Sequence, residues 1–482
     1  LTMVSLMLDA IISGVDNTYL SPGIFHFTNI ALHALTCLLV YLLLRQLKFD
    51  AWPAFLATLL YAVHPTAVES VSWISQRKTV LATPLAVGAV MAYLRYGWSL
   101  QRGWLWLCFF LYLMANLAKP TIVFLPLVLP LLDIWPLGRQ PISCLKEKWP
   151  LAIGMAVLGW VAWMSQASTG DGMAFANLST TTLLMKWMGL FAYNVTLYLG
   201  NVFWPMYLSP FRAMPGDFRL ANPAILSSLL LVAALSVFWL TTWRWCKPLF
   251  VGIAAFAIMI SPALGPVRFM ASCVADRFVY FPLVFLMMPL GMFLQRAESR
   301  TRGPFFTRLA VGGVILSMMV LTRAQQRVWL DSKTLWSHVA DSVPNFCKAY
   351  GNLALVYLQE EDFEKSMGYA NRALRIDPDH GDSLHLLGRA LTRIGRGREA
   401  IASIEHALRV SLGPSERSAW IAHAEAHASI GNTAQARSSC EKAIALGADS
   451  AVTYSMAGNA AMLYGHRYEI AVEFYRESLA RD

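Results

Sequence analysis

A carboxylate, an aromatic ring and a cation recur at intervals of four residues in one segment of the sequence, as Glu69, Trp73 and Arg77. If a helix begins after Pro65, these side chains share one face, because residues four apart on a helix are neighbours. Such a face would give a sugar phosphate an acid/base group, a stacking surface and a charge clamp. We therefore predict a catalytic role for Glu69, donor-phosphate binding by Arg77 and Lys78, and a place in the substrate pocket for His64 and Trp73. As an alternative, Thr66 and Glu69 have the spacing of a helix capping box.

A second group of charges, Asp276 and Arg277, lies at the start of an apolar stretch, and Lys119 stands alone between two others. A charged side chain at the membrane centre costs about 2.5–3.5 kcal/mol. These residues are therefore expected to be paired with another group or to have a function. We predict a catalytic or positioning role for Asp276, phosphate binding by Lys119 and Arg277, and a pocket position for Tyr280. The alternative is that the charges reach the membrane surface from helix ends.

Several classes of site are not indicated. The seven cysteines form no C-x-x-C pair and no metal-ligand spacing, so we predict neither a metal centre nor a disulfide framework. No P-loop, G-x-G-x-x-G, H-E-x-x-H or G-x-S-x-G pattern is present, which gives no support to soluble nucleotide chemistry.

Composition identifies the elements that must position these residues. Of the 482 residues 56% are apolar and 14% are charged, whereas ordinary soluble domains carry about 25% charged residues. Residues 1–330 hold 23 Lys and Arg against 10 Asp and Glu, while 331–482 hold 16 against 19. The excess positive charge therefore lies in the apolar part, which argues against a nucleic-acid surface and places a domain boundary near 330.

The apolar part is predicted to be an all-α membrane domain of about 10 or 11 spanning helices, with its natural N-terminus missing. Pro residues bound or interrupt two short stretches, 52–64 and 120–133. The other apolar stretches are 28–44, 79–97, 103–118, 150–166, 222–243, 248–265, 277–295 and 308–322, and a further one, 180–204, contains Lys186.

The distribution of basic residues in short loops predicts the orientation. If 180–204 does not cross the membrane, one side collects Arg45, Lys48, Arg95, Arg102, Arg139, Lys146, Lys148, Arg244, Lys247, Arg296, Arg300, Arg302 and Arg308. That side is then cytoplasmic. We prefer this model because its bias is consistent, and it predicts that the segments 65–78, around 119, 166–221, 266–276 and everything after 323 face the periplasm or organelle lumen. If 180–204 does cross, the loops from residue 244 onward change sides, and the basic residues no longer collect on one side.

The last third of the sequence repeats with a period near 34, the length of a tetratricopeptide repeat. Small residues recur at Ala373, Ala407, Ala443 and Ser478. We predict a membrane domain at 1–322, an amphipathic connector at 323–346 and an α-solenoid at 347–482, with repeats at about 347–380, 381–416, 417–450 and 451–482. Such stacks bind partner or acceptor proteins.

Taken together, the sequence resembles the transmembrane and tetratricopeptide-repeat-containing family and its bacterial relatives, within the C-type membrane glycosyltransferase superfamily. The resemblance covers nearly the whole chain. Besides the repeats, it rests on His26-x-x-Asn29-x-x-x-His33, His64-Pro65-x-x-x-Glu69-Ser70-Val71 with Arg77-Lys78, Lys119-Pro120, Asp133-x-Trp135-Pro136-Leu137, Trp204-Pro205-x-x-Leu208-Ser209-Pro210 and Ala275-Asp276-Arg277-Phe278-x-Tyr280.

The resemblance implies transfer of a sugar from a polyprenyl-phosphate donor to a protein on the extracytoplasmic face of the bacterial inner membrane or the endoplasmic reticulum. In animal members the donor is dolichyl-phosphate mannose and the acceptor is a Ser or Thr hydroxyl. The family usually places its catalytic acid in the first outer loop, which the resemblance puts upstream of Leu1. No cofactor is firmly expected, and a divalent metal requirement stays open.

Two other classes of function remain open on the sequence. One is a non-catalytic membrane scaffold that recruits partners through the repeats. The other is a ligase or oligosaccharyltransferase that moves a whole glycan from a lipid pyrophosphate.

Overall fold

The computed structural model describes residues 1–13, 22–167, 180–212, 222–264, 274–299, 303–410 and 415–481. Parts of the predicted outer segments 166–221 and 266–276 lie outside these residues, as do Arg300 and Arg302. The chain forms two units, Leu1–Trp329 and Leu330–Asp482. The described residues of both are helices joined by turns, which confirms the predicted all-α class.

Among the residues that the structure describes, six helices of the first unit are long and apolar enough to cross a membrane, and three shorter apolar helices accompany them. They coincide with most of the predicted stretches, because the apolar runs that fit a bilayer also satisfy their backbone groups internally as helices. The helices are α1 (Thr2–Ile12), α2 (Pro22–Gln46), α3 (Ala51–Ala62), α4 (Ala67–Ser72), α5 (Arg77–Ser99), α6 (Arg102–Ala118), α7 (Leu125–Leu132), α8 (Trp149–Ala167), α9 (Thr180–Phe203), α10 (Pro223–Trp245), α11 (Lys247–Leu264), α12 (Leu283–Glu298) and α13 (Gly303–Val328).

Helix α5 is the most buried of the six candidate spans. Of the residues in its most apolar stretch 67% are buried, compared with 6% for α13. The small residues Ala82, Ala86 and Ala89 are fully buried on α5. Small side chains on one face let neighbouring helices approach closely, and Gln46 of α2 donates a 3.0 Å hydrogen bond to the carbonyl of Met91. Helix α5 thereby provides a fixed support for the residues at its N-terminal end.

The single helix predicted to run from Pro65 past Arg77 is wrong. Helix α4 ends at Ser72, Trp73 is extended, and a 3₁₀ turn at Ile74–Gln76 leads into α5. The last turn of α4 is interrupted because the carbonyl of Val71 accepts a 3.0 Å hydrogen bond from Asn29 on α2. Glu69, Trp73 and Arg77 therefore do not share one helical face.

Two other differences concern helix starts. Helix α1 was not among the predicted elements, although it contributes a buried carboxylate, Asp9. Helix α12 begins at Leu283 rather than at 277, because Asp276–Phe278 form a 3₁₀ turn and Pro282 occupies the N-cap. Asp276 and Arg277 therefore lie in this turn, before the first residue of α12.

The second unit begins with α14 (Ser332–Ser342) and continues as four helix pairs. They are α15 (Cys347–Gln359) with α16 (Phe363–Ile376), α17 (Gly381–Arg393) with α18 (Gly397–Arg409), α19 (Glu416–Ile430) with α20 (Thr433–Ala445), and α21 (Ser450–Leu463) with α22 (Tyr468–Leu479). The predicted small residues Ala373, Ala407 and Ala443 are fully buried. Within the second pair, a Cβ added to Gly388 would overlap Ile404 and lie 3.1 Å from the carbonyl of Ala400. Close helix contacts thus explain why the repeat requires small residues.

Candidate functional site

Glu69 and Arg277 form the centre of the candidate site, although 208 residues separate them in sequence. Glu69 Oε2 accepts a 2.9 Å hydrogen bond from the backbone N–H of Arg277, and Oε1 pairs with the Arg277 guanidinium. The side chains are 1% and 5% exposed. The capping-box alternative for Glu69 is therefore wrong, because Thr66 makes no capping hydrogen bond and the Glu69 carboxylate is bound to Arg277 instead.

Lys119 extends this pair into a chain of polar contacts. Its Nζ donates to Thr79 Oγ1 at 2.8 Å and to the carbonyl of Arg277 at 3.4 Å, and it lies 5.2 Å from the centre of the Phe278 ring. An ammonium group has three N–H donors, and these two are the hydrogen bonds it makes within the described part of the chain. One donor remains for a ligand.

One cavity joins these charges to an apolar wall. Its lining includes Lys119, Arg277 and three threonine side chains, Thr79, Thr83 and Thr121. The rest of the lining is apolar: Met259, Pro262 and Ala263 belong to α11, Ile122 to the 3₁₀ turn Pro120–Phe124, and Phe278, Phe281 and Pro282 to the segment before α12. Cationic and hydroxyl-bearing residues thus line the same cavity as apolar residues.

Asp276 lies beside the pair and is held by a different partner. Its Oδ1 accepts a 2.6 Å hydrogen bond from Asn201 on α9, and Asn201 accepts one of 3.0 Å from Arg212. Burial, with the neighbouring charge of Glu69 as the second cause, raises the pKa of the Asp276 carboxyl well above its ordinary value. Sequence reasoning missed Asn201, although a buried amide in an apolar helix is a recognisable signal.

The structure places Arg77 in a separate network. The residue is fully buried. Its guanidinium donates to Asn29 Oδ1 at 2.6 Å, to Ser5 Oγ at 2.8 Å, to Asp9 Oδ2 at 2.5 Å and to the carbonyl of Phe25 at 2.9 Å. These contacts join α1, α2 and α5, and Arg77 is not among the residues that line the cavity.

The other four residues predicted from the sequence differ in their contacts with the Glu69–Arg277 pair. Lys78 is exposed and interacts electrostatically with Arg277. Trp73 lies over the same guanidinium, with Cζ 5.4 Å from its ring centre. His64 donates from Nε2 to the carbonyl of Val202 at 3.0 Å, and its Nδ1 lies 2.7 Å from Thr66 Oγ1. Tyr280 is buried and its hydroxyl lies 2.6 Å from His33 Nδ1, so His64 and Tyr280 hold elements together near the site.

Comparison with known proteins reveals relatives that extend across both units. The chain is 25% identical over 436 residues to protein O-mannosyl-transferase TMTC1 of Homo sapiens, covering 78% of this chain and 48% of that protein. It is 24% identical over 428 residues to protein O-mannosyl-transferase TMTC3 of Mus musculus, covering 80% and 45%. The chain spans about half the length of the curated relatives it matches. These matches confirm the resemblance predicted from the motifs and, with the six apolar helices, show an integral membrane protein.

The repeat unit matches family models directly. Two models described as tetratricopeptide repeat cover residues 348–380 and 385–451, which confirms that this part of the chain contains tetratricopeptide repeats. Among solved structures, MamA aligns over 30% of this chain and 84% of its own with 19% identity and a TM-score of 0.25. YrrB, described as a tetratricopeptide protein with an unusual peptide-binding site, aligns over 39% and 92% with 17% identity and the same score.

Proposed function

We propose that this protein transfers a mannosyl-type sugar from a polyprenyl phosphate to a Ser or Thr hydroxyl of a protein acceptor. The observation that carries the proposal is that Lys119 and Arg277 line one cavity together with apolar residues. A polyprenyl phosphate has the same two parts, an anionic head and a hydrocarbon tail. The names of the relatives, both protein O-mannosyl-transferases, agree with this substrate class.

The two cations serve the leaving group in this proposal. When the bond between sugar and phosphate breaks, negative charge grows on the phosphate, and cations fixed in advance stabilise that charge. Glu69 holds Arg277 by its backbone and its side chain, so the guanidinium needs little reorganisation when the charge develops. We assign Glu69 this positioning role, with Lys78 as a further cation at the exposed edge.

Asp276 is the carboxylate that we propose to receive the proton of the acceptor hydroxyl. A general base works best when its pKa lies near the working pH, and burial beside Glu69 moves the pKa of Asp276 upward. The hydrogen bond from Asn201 keeps the carboxylate oriented. The family's first-loop acid, which the resemblance implies, would share this work or perform it.

The phosphate role predicted for Arg77 is less well supported by its surroundings. Its guanidinium already donates to Asp9, Asn29, Ser5 and the carbonyl of Phe25. These contacts favour a structural role for Arg77, which joins α1 to α2 and α5 beneath the site. We therefore assign donor binding to Lys119, Arg277 and Lys78.

We also propose that the site and the repeats face the periplasm or lumen. The support is the bias of basic residues in the loops on the other side, for example Arg45, Lys48 and Arg95. The test is a single cysteine at position 73 in a cysteine-free chain, because Trp73 is partly exposed beside the site. Labelling by a membrane-impermeant reagent from the outer side alone is expected, and labelling from the cytosolic side alone would reverse the orientation.

Donor binding tests the function itself. Purified protein in lipid nanodiscs is incubated with labelled polyprenyl-phosphate mannose, and retained label is compared among wild type, Lys119→Gln, Arg277→Gln and a control, Arg95→Gln. Arg95 is exposed near the other end of α5, against Trp104. We expect about a 10- to 100-fold loss of affinity for each site variant, because a hydrogen bond to a charged group contributes roughly 1.5–3 kcal/mol, and no loss for the control. Equal retention by all variants would contradict the proposal.

The scaffold alternative makes a different prediction for the same material. If the membrane unit only anchors the repeats, wild type retains no more mannosyl donor than a polyprenol without phosphate. A glycan ligase would instead retain a pyrophosphate-linked oligosaccharide more strongly than the mannosyl phosphate. Both lipids can be run beside the mannosyl donor in the same assay.

A further inference from the structure

Three potential metal ligands converge in the repeat unit, far in sequence from the membrane site. Glu405 lies on α18, and His423 and His427 lie on α19. One carboxylate oxygen and one nitrogen from each ring lie within 4.8 Å of one another. Two histidines four residues apart on one helix present their rings on the same face, and the ring centres are 4.4 Å apart.

The hydrogen bonds of His423 determine which ring nitrogen faces Glu405. Ser439 Oγ donates its single proton to the carbonyl of Gln435 at 2.7 Å. At the 2.8 Å contact with His423 Nδ1, the serine oxygen must therefore accept, and Nδ1 must carry the proton. In the neutral ring the lone pair is then on Nε2, which lies 3.8 Å from the Glu405 carboxylate.

Without a cation this arrangement is unfavourable, because a lone pair and an anionic oxygen face each other. A metal ion bound between Nε2 and the carboxylate would satisfy both atoms.

His427 supplies independent evidence. The residue is 8% exposed, and its buried Nδ1 has no hydrogen-bond partner in the described part of the chain. Buried ring nitrogens are normally paired. An imidazole nitrogen with no hydrogen-bond partner can serve as a metal ligand.

We propose that Glu405, His423 and His427 form a binding site for a divalent transition metal of the zinc type, which joins the second repeat to the third. Two imidazoles and one carboxylate are a ligand set that Zn²⁺ takes, with a fourth position left for water or another ligand. Glu405 is half exposed, so its side chain can move to complete the geometry. Ser439 is the outer partner that fixes the tautomer of His423.

This site was not expected from the sequence, which predicted no metal centre from its cysteines. The helical spacing of the two histidines is visible in the sequence, but the third ligand comes from the preceding helix. The inference is independent of the proposed transfer activity, because it concerns the repeat unit alone. A metal there would stabilise the folded repeats in proportion to its concentration and affinity.

Zinc binding by the full chain in detergent tests the proposal. After chelator treatment, Zn²⁺ is titrated calorimetrically and bound metal is counted by elemental analysis. We expect one Zn²⁺ per chain to be lost in His427→Gln and in Glu405→Gln, and the affinity to fall about 10–100-fold in Ser439→Ala, the usual effect of removing an outer partner. The matched control is His406→Gln, next to Glu405 on α18 but paired with Asp379 at 2.9 Å.

The variants also distinguish metal loss from misfolding. Glu405 is half exposed, so Glu405→Gln is expected to keep the wild-type helix content by circular dichroism while it loses the metal. Zn²⁺ is expected to raise the melting temperature of wild type and His406→Gln and not that of Glu405→Gln. Absence of bound Zn²⁺ in wild type, or equal binding by wild type, His427→Gln and Glu405→Gln, would overturn the proposal.

Discussion

Asn201 donates a 2.6 Å hydrogen bond to Asp276 from a helix that lies 75 residues earlier in the chain. A hydrogen bond to a carboxylate stabilises its ionised form and lowers its pKa. At Asp276 this effect opposes burial and the charge of Glu69, which both raise the pKa. Asn201 and Glu69 therefore act on Asp276 in opposite directions, and substitutions at the two positions are predicted to have opposite signs.

Asn201→Ala is expected to move the acidic limb of the pH–rate profile to higher pH. Without the amide donor the pKa of Asp276 rises further, so the base becomes ionised only in more alkaline solution. Because a hydrogen bond to a charged group contributes roughly 1.5–3 kcal/mol, the shift should be about one to two pH units. The measurement is mannosyl transfer across pH, with Asn194→Ala, a buried asparagine earlier on α9, as the control that keeps the wild-type profile.

Glu69→Gln is expected to move the same limb to lower pH. The substitution removes a negative charge that raises the pKa of Asp276, so the base ionises in more acidic solution. It also weakens the support of the Arg277 guanidinium, and the maximal rate should fall by roughly 10²–10³, the usual effect of removing a fixed charge-stabilising group. A fall in rate with no change in the position of the limb would argue against Asp276 as the base.

Arg77→Ala is expected to destabilise the membrane unit rather than to act on donor binding alone. The change leaves Asp9 buried without its cation, and breaking a buried ion pair costs about 3–5 kcal/mol. Thermal unfolding in detergent should show a clear decrease in melting temperature, which the double variant Arg77→Ala with Asp9→Ala should partly restore. An unchanged melting temperature combined with lost donor binding would return Arg77 to the phosphate role predicted from the sequence.

Gly388→Ala is expected to destabilise the repeats by about 1–3 kcal/mol, the typical effect of overpacking. The added Cβ meets Ile404 and the carbonyl of Ala400, both across the helix pair. Gly368→Ala on α16 is the control, because a Cβ there meets nothing within 4 Å, and alanine is the better helix former. Denaturant unfolding followed by circular dichroism should therefore show opposite changes for the two variants.

The helices and repeats could be predicted because their signals are local. Apolar runs of spanning length and small residues near every 34 positions are properties of short segments, and the positions of α2, α5 and α10 follow from them. The helix start at Arg77 could not be predicted in this way. It depends on Asn29 of α2, which binds the carbonyl of Val71 and so ends α4.

The candidate site could be predicted as a set of residue types but not as an arrangement. Glu69, Asp276, Arg277 and Lys119 were all identified from their charge in apolar surroundings, yet their pairing joins segments that only the folded chain brings together. Arg77 shows the opposite case. Its type and spacing suggested a phosphate ligand, whereas its partners lie on α1 and α2, where no sequence pattern marked Asp9 or Ser5.

The position of Arg77 has a practical consequence for handling the protein. Its carboxylate partner Asp9 and its hydroxyl partner Ser5 both lie on α1, so a protease that trims this helix would leave a bare guanidinium inside the membrane unit. Any truncation that removes α1 is therefore expected to lower the yield of folded protein, because the counter-ion of Arg77 is lost with the helix.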